Sequence, residues 1–276
     1  MGKSVQRKCI ERLLLSTVLS LGLSSCGSDG ESDREKLKTH AKFASTIIDQ
    51  NTGKPVKNVE VFIKLNDKVY KDKTNSKGKY AFYVPVVETE GIKTVILEIY
   101  DDKYKCKVVP YESIEANRTY DLGNAGDIAQ LPENIVKFSD MKKACTLHHL
   151  GDDNYGGSYN SKFQIPTEGL VFGKDALKFD LNAAMKTQYS SIEITFLAKG
   201  IQRRNRIELI DEETKKVLRS VATKNSQANG KYTSYTFKID IDALETGKHF
   251  FQVRSVSYGS SDYDDFEFVD FIAILK

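Results

Sequence analysis

Acidic and amide side chains gather in two segments of the second half of the sequence. A loop rich in glycine and tyrosine carries Asp152, Asp153 and Asn154. In the C-terminal strand, alternation with period two places Asp270 on the same face as the apolar Phe268, Ile272 and Ile274. If that face is buried, the carboxylate needs a cation or hydrogen-bond donors. Because Ca²⁺ prefers oxygen ligands, the sequence predicts a calcium site from Asp152, Asp153, Asn154 and Asp270.

Two simpler interpretations of these side chains stay open. The loop residues can serve only as turn formers, with Asp270 hydrogen-bonded to backbone. The neighbouring His148 and His149 raise a zinc interpretation, but adjacent residues on a strand point to opposite faces, so one at most joins a site. The sequence contains no G-x-S-x-G, phosphate-loop or H-E-x-x-H pattern, and we therefore predict no catalytic residues and no enzyme activity.

Two cysteines, Cys106 and Cys145, lie outside the N-terminal region. In an oxidising compartment they are candidates for a disulfide, which would join two predicted domains. The alternative is that they are two separate buried thiols, since spacing alone does not show that their Cα atoms lie within reach.

The N-terminus has the pattern of an export signal. Residues 1–12 are basic, and 13–23 form an apolar run that is too short to cross a bilayer. The run ends in Leu23-Ser24-Ser25-Cys26, which resembles the bacterial lipobox. That resemblance implies cleavage after residue 25 and a covalent lipid on Cys26, which would anchor the protein to the membrane. Residues 26–39 are predicted to be a flexible tether, and Gly27 favours the outer membrane of the bacterial envelope.

Charge and composition narrow the class of protein. Four basic residues and one acidic residue in 1–25 account for the whole net charge of +3, and the rest of the chain is balanced. A neutral body excludes a strongly basic nucleic-acid binder. The short cluster at 203–206, RRNR, is therefore interpreted as a solvated strand edge. With 14 Tyr, 14 Phe and five Pro, the composition favours sheet.

Residues 40–127 are predicted to form a seven-stranded antiparallel β-sandwich, because β-branched and aromatic runs alternate with turn residues. The predicted strands are 42–48, 59–65, 68–74, 80–84, 94–100, 104–109 and 118–122. Segment 49–61 reads DQNTGKPVKNVEV and segment 74–82 reads TNSKGKYAF. This pattern resembles the carboxypeptidase regulatory-like (transthyretin-like) module, which implies a spacer or interaction role without peptidase chemistry. Gly53 and Gly78 are expected at turn positions with positive φ.

Residues 134–276 are predicted to form a second β-sandwich of the jelly-roll type. The predicted strands are 135–138, 162–165, 176–181, 191–198, 205–210, 216–221, 232–239, 249–255 and 267–275. The strand pattern and the acid in the last strand resemble the galactose-binding-like superfamily, which includes calcium-stabilised carbohydrate-binding modules. The chain has no tryptophan, so the sugar-stacking surfaces implied by that resemblance are assigned to Tyr155, Tyr159, Tyr258 and Tyr263.

The sequence thus predicts an all-β chain of two antiparallel sandwiches after a lipoprotein signal. Two functions follow. In the first, the protein is a non-enzymatic envelope protein whose jelly roll captures glycan or peptide through its end loops. In the second, both sandwiches are protein docking surfaces in a larger envelope or adhesin assembly.

Overall fold

The structure is a computed structural model that describes residues 29–65, 67–92, 94–152, 168–223, 232–257 and 263–276. It is all-β, with 49% strand and 11% helix, which confirms the predicted fold class. No helix in these ranges is both long enough and apolar enough to cross a membrane. The buried apolar residues form two large hydrophobic cores, one in each predicted sandwich.

Nine strands build the first sandwich. They are β1 (His40–Thr46), β2 (Ile48–Asp49), β3 (Glu60–Leu65), β4 (Lys68–Lys73), β5 (Lys79–Pro85), β6 (Val95–Tyr100), β7 (Lys107–Tyr111), β8 (Thr119–Tyr120) and β9 (Asp127–Ile128). One sheet has the order β5-β1-β8 and the other β4-β3-β6-β7, while β2 pairs with β9. Two short 3₁₀ helices, Val86–Thr89 and Gly123–Gly126, lie in the connections.

The core of the first sandwich forms because apolar residues alternate along its strands. In β1 and β5 the buried residues Phe43 and Phe82 stack at 5.6 Å between ring centroids. They face the apolar side of β3 and β6, which contributes Val61, Ile63, Leu97 and Ile99. All seven predicted strands of this region are present within a few residues. The parallel pairs β1–β8 and β2–β9 were not predicted.

The turn residues of the first sandwich behave as their types predict. Gly53 and Gly78 both have positive φ, at 65° and 70°. At Gly78 a Cβ would lie 2.6 Å from the Ile47 carbonyl oxygen, so the position excludes any side chain. The hydroxyl of Thr74 accepts from the Val59 backbone N–H at 2.9 Å and donates to the Val56 carbonyl at 2.7 Å. The residues that carry the family resemblance therefore hold the turns before β3 and β5.

A helix, α1 (Asp29–Leu37), lies in the segment predicted to be a flexible tether. Its residues are almost all polar, which is why composition alone favours a tether. The Lys42 ammonium group pairs with the Asp33 carboxylate at 2.9 Å, so the helix is held against β1. Residues 29–37 are thus ordered on the first sandwich, and this part of the tether prediction is wrong.

The described residues of the second sandwich contain nine further strands and two short helices. They are α2 (Met141–Cys145), β10 (His148–Leu150), β11 (Val171–Phe172), β12 (Lys178–Leu181), α3 (Ala183–Gln188), β13 (Ser191–Lys199), β14 (Arg206–Asp211), β15 (Val217–Ala222), β16 (Thr233–Asp240), β17 (Gly247–Arg254) and β18 (Phe266–Leu275). One sheet has the order β10-β18-β13-β16 and the other β11-β17-β14-β15, with β12 also paired to β17. All of these pairs are antiparallel.

Seven of the nine predicted strands of the second sandwich correspond to β12–β18. The prediction at 135–138 is wrong, because only one bridge, Ile135 to Ile274, forms there. Ile135, Val136 and Phe138 are nevertheless buried, so the apolar run packs without becoming a strand. The strand predicted at 162–165 lies outside the described residues. The short β10 and β11 were not predicted.

The two sandwiches touch along an apolar seam. Ile96 of β6 packs with Leu147 and with Val269 of β18, and Val108, Leu197 and Tyr232 border them. Around this seam the Lys142 ammonium pairs with the Glu60 carboxylate at 2.9 Å. The buried Glu98 carboxylate accepts from the Leu147 backbone N–H. Apolar and ionic contacts together therefore fix one face of β6 against the second sandwich.

Candidate functional site

Several strand ends meet at one end of the second sandwich. β13 ends beside the start of β18, with Lys199 opposite Glu267, and β14 starts beside the end of β17, with Arg206 opposite Arg254. β10 ends opposite Phe266. We call this end of the sandwich the loop end, and it comprises the described residues 150–152, 168–170, 200–205, 222–223, 232, 255–257 and 263–266.

A buried carboxylate lies at the centre of the loop end. Asp264 is 1% exposed. Its Oδ2 accepts from the backbone N–H groups of Gln202 at 3.1 Å and Arg203 at 2.9 Å. The same oxygen accepts from the Asn205 side-chain amide at 2.7 Å. These donors compensate the loss of water around the charge, so Asp264 joins the β13–β14 connection to the start of β18.

Asn205 extends this network to the chain just after two more strands, β15 and β17. Asn205 is fully buried, and its Oδ1 accepts from the Val256 N–H at 3.0 Å. Its backbone carbonyl accepts from the Thr223 N–H at 2.8 Å. The Ser255 hydroxyl donates to the Asp264 carbonyl at 2.7 Å. The cluster at 203–206 was interpreted as a solvated strand edge, and for Asn205 that interpretation is wrong.

A second contact holds the end of β10 in the same place. The Tyr263 backbone N–H donates to Asp152 Oδ2 at 3.3 Å. Gly151 has φ of 147°, and a Cβ there would lie 1.6 Å from the Asp265 side-chain oxygen. Only glycine therefore allows the buried Asp265 to approach this backbone. Asp152 and Tyr263, both predicted as site residues, are brought together at the loop end.

The structure does not bring Asp152 and Asp270 together. The register of β10 on β18 places Asp152 beside Asp264, and Asp270 lies six residues further along β18. At about 3.3 Å per residue the two carboxylates are roughly 20 Å apart. One calcium ion cannot bind both, so the predicted four-residue calcium site is wrong as a single site.

The face predicted for Asp270 is wrong in one respect, because a β-bulge interrupts the alternation. Asp270 shares a face with Ile272 and Ile274, as predicted, but not with Phe268. Val269 pairs with Leu197 but Ile272 pairs with Thr195, so two residues of β18 oppose one of β13. After the bulge the core residues are Phe271, Ala273 and Leu275, while Phe268 lies in the core before it. Asp270 therefore points away from Phe268, towards the first sandwich and Cys106.

Most of the other predicted site residues lie outside the described residues. These are Cys26, Asp153, Asn154, Tyr155, Tyr159 and Tyr258. The chain leaves the loop end after residue 152 and returns at 168, leaves after 223 and returns at 232, and leaves after 257 and returns at 263. The predicted binding tyrosines therefore belong to connections that all begin and end at the loop end.

His148 does not offer an open metal site. His148 Nδ1 contacts Glu168 Oε1 at 3.1 Å, and its Nε2 contacts the Lys143 carbonyl. The ring lies 4.0 Å from the Phe172 ring. The hydrogen bond with His148 lowers the pKa of Glu168 against the opposing effect of burial. Because both ring nitrogens are engaged, His148 is a packed core residue.

Comparison with known proteins finds no matching family profile and no matching curated protein. Among solved structures, the Bacillus anthracis TIE protein is 11% identical, with a TM-score of 0.25, and the match covers 84% of this chain and 31% of that one. A family 35 carbohydrate-binding module from an environmental isolate is 15% identical, with a TM-score of 0.23 and coverage of 50% and 89%. A DUF3823 family protein from Bacteroides ovatus is 12% identical, with a TM-score of 0.23 and coverage of 86% and 98%. This chain spans less than a third of the length of the TIE protein, and similarities at these scores carry no functional argument.

Proposed function

We propose that the protein is a non-enzymatic, lipid-anchored binding protein of the bacterial envelope, which captures a glycan or a short peptide at the loop end. One observation carries this proposal: three connections of the second sandwich begin and end at the loop end, where Asp264 and Asn205 form a buried hydrogen-bond network. Binding residues are commonly placed on loops that a rigid scaffold positions.

The chemistry of these connections supports a polar ligand with apolar faces. Tyrosine side chains combine a flat ring, which stacks on sugar C–H groups or on peptide side chains, with a hydroxyl that hydrogen-bonds. The three connections also contain serine, asparagine and glycine, which are adaptable contact residues. Asp264 is already saturated by backbone and amide donors, so its role is to hold the connections rather than to touch the ligand.

Membrane attachment belongs to the same proposal and rests on the lipobox pattern at 23–26. A lipid on Cys26 would place α1 and the first sandwich nearest the membrane. The second sandwich would then carry the loop end outward. In cells, Cys26→Ser is expected to move the protein from the detergent-soluble membrane fraction to the soluble fraction. An unchanged distribution would contradict the anchor.

A glycan and peptide array with the purified protein tests the binding function. The first variant replaces residues 153–167 with a Gly-Ser segment of equal length, and the others are Tyr155→Ala with Tyr159→Ala, and Tyr258→Ala. Each is expected to weaken binding by at least about 5-fold, because stacking on one ring contributes about 1–3 kcal/mol. Glu213→Ser, in the β14–β15 turn at the opposite end, is the matched control.

Two results would contradict the binding function: no ligand on either array, or an equal loss in the Glu213→Ser control. Repeating the measurement with EDTA and with Ca²⁺ tests whether the residues near Asp152 use calcium, independently of Asp270. If Ca²⁺ changes neither binding nor thermal stability, the loop end works without that ion.

The alternative of an assembly subunit is favoured by one feature, the edge strand β15. It ends the sheet order β11-β17-β14-β15, and its Val217 is 44% exposed. An unpaired edge is a template for strand addition by a partner. The test is co-purification of a stoichiometric envelope partner. If Val217→Lys abolishes binding of that partner and replacement of residues 153–167 does not, the assembly role replaces the proposed binding role.

A further inference from the structure

Three side chains with metal-binding atoms meet at the seam between the sandwiches, away from the loop end. They are Cys106, just before β7, Cys145, the last residue of α2, and Asp270, at the bulge of β18. Their sulfur and carboxylate oxygen atoms all lie within 4.8 Å of one another. Three separate segments therefore deliver one ligand atom each to the same point.

The backbone at Asp270 is in an uncommon conformation that aims its side chain at this point. Its φ is 58°, within the left-handed region, although it lies inside a β-strand. A bulge re-aims a side chain out of the regular alternation, and non-glycine residues at positive φ concentrate at functional sites. With regular pairing, residue 270 would point into the core of the second sandwich rather than towards Cys106.

The carboxylate of Asp270 is incompletely satisfied. It accepts a hydrogen bond from the Cys106 backbone N–H. Its Oδ1 is buried and has no hydrogen-bond partner among the described residues. Such an oxygen costs free energy unless a donor or a cation occupies the space beside it. A carboxylate oxygen of Asp270 lies within 4.8 Å of the two sulfur atoms, which is where a shared ligand would bind.

The three groups of the cluster are all acidic. A metal ion that replaces their protons would neutralise three negative charges at once.

We propose that Cys106, Cys145 and Asp270 bind a thiophilic divalent ion of the zinc class, with water as the fourth ligand. Tetrahedral Zn²⁺ with these ligands needs donor atoms about 3.5–3.8 Å apart, and the three donor atoms lie within 4.8 Å of one another. Two thiolates and one carboxylate do not suit Ca²⁺ or Mg²⁺, which prefer all-oxygen sites. The bound ion would join the two sandwiches across their seam.

A disulfide between the cysteines is the competing outcome. In the described part of the chain both are free thiols, and the disulfide predicted from sequence stays a prediction. A disulfide would use both sulfur atoms and leave Asp270 Oδ1 without a partner, whereas one metal ion satisfies all three groups. The unpartnered carboxylate is therefore the feature that favours metal over disulfide.

Spectroscopic titration of the full chain tests the proposal. The protein carries Cys9→Ser and Cys26→Ser, so that Cys106 and Cys145 are its remaining thiols. It is reduced with a phosphine and titrated without oxygen, first with Co²⁺ and then with Zn²⁺. The expected result is one equivalent of Co²⁺ with a thiolate charge-transfer band and tetrahedral d–d bands, displaced by one equivalent of Zn²⁺.

Three variants assign the ligands. Cys106→Ser, Cys145→Ser and Asp270→Asn are each expected to lower Zn²⁺ affinity by more than about 100-fold. Asp102→Asn, an exposed carboxylate in a nearby turn, is expected to leave it unchanged. Thermal unfolding without metal is measured for each variant, because Cys145 is buried. Cys106→Ser and Asp270→Asn change partly exposed residues and keep the test valid if Cys145→Ser does not fold.

Three results would overturn the proposal. The first is the absence of a stoichiometric tetrahedral cobalt spectrum in the reduced protein. The second is isolation of the protein from its native compartment with no free thiols and a mass lower by two hydrogens, which shows a disulfide. The third is unchanged Zn²⁺ affinity in Asp270→Asn, which removes the carboxylate from the site.

Discussion

The carboxylate of Glu98, on β6 of the first sandwich, accepts the Leu147 backbone N–H of the second sandwich at 2.8 Å. Glu98 is 4% exposed, and Lys64 pairs with its other oxygen at 3.3 Å. This buried carboxylate pairs with a cation of its own sheet and also accepts from a backbone N–H of the other sandwich. It therefore couples the two hydrophobic cores.

Glu98→Ala is therefore expected to separate the unfolding of the two sandwiches. It leaves a buried N–H at Leu147 without its acceptor and should lower the free energy of unfolding by about 2 kcal/mol. Denaturant unfolding, followed by hydrogen exchange in each sandwich, is the measurement. Glu98→Gln keeps an acceptor oxygen and should cost less. A single, unshifted transition for Glu98→Ala would show that Glu98 does not couple the cores.

Glycine at position 78 should be far less replaceable than glycine at position 53. Both have positive φ, so alanine costs about 1–2 kcal/mol at either position. At Gly78 the new Cβ would also lie 2.6 Å from the Ile47 carbonyl, whereas nothing lies within 4 Å at Gly53. Gly78→Ala should therefore lower the thermal midpoint clearly more than Gly53→Ala. Equal shifts would show that the close contact relaxes at little cost.

Asp49 should give the first sandwich a stability that is lost in acid. The hydrogen bond from Gln130, helped by Tyr104 and the Thr52 backbone, lowers the pKa of Asp49 from 3.8 to about 2 although burial opposes it. A lowered pKa stabilises the folded state fully above about pH 4, and that contribution disappears as the pH falls through about 2. The measurement is urea unfolding as a function of pH.

Asp49→Asn should be less stable at neutral pH and should lose less stability than the wild type between about pH 4 and pH 2. Asp102→Asn, which removes an exposed carboxylate from the same sandwich, is the matched control. The same acid dependence in wild type and Asp49→Asn would assign the acid sensitivity to other groups.

Asp264→Ala should damage the loop end more than any exposed carboxylate change. It leaves the N–H groups of Gln202 and Arg203 and the Asn205 amide without their acceptor. The expected cost is about 3 kcal/mol of unfolding free energy, with faster hydrogen exchange in residues 200–205. Asp180→Ala, on the exposed side of β12, is the control. A loss of less than about 1 kcal/mol would show that water replaces Asp264 easily.

The strands and turns of the first sandwich are predictable because local chemistry determines them. Gly53 and Gly78 occupy conformations that other residues avoid, and the apolar alternation in β3 and β5 needs no long-range information. The position of Asp270 is different. One extra residue in β18 reverses the faces after Val269, and the bulge depends on pairing with β13. No period read along a single strand contains that information.

The residues of the candidate site are also only partly predictable from the sequence. Asp152 and Tyr263 were selected from a cluster of residue types, and they do meet at the loop end. Asp264 and Asn205 organise the loop end, but the sequence gives little indication of that role. Asn205 lies among three arginines, and its burial follows from the hydrogen bond to Asp264, a residue distant in sequence. Side chains that serve as partners across a sandwich are found only when the fold brings them together.

The central position of β18 constrains the order in which the second sandwich folds. β18 lies between β10 and β13 in its sheet. Residue 148 of β10 pairs with residue 268 of β18, so most of the sequence of that sandwich separates the two partners. Among the described strands, β10 pairs only with β18, and β13 pairs only with β18 and β16. Non-local pairing of this kind slows folding. The second sandwich would thus stay open along β10 and β13 until β18, the most C-terminal of its described strands, is available to pair.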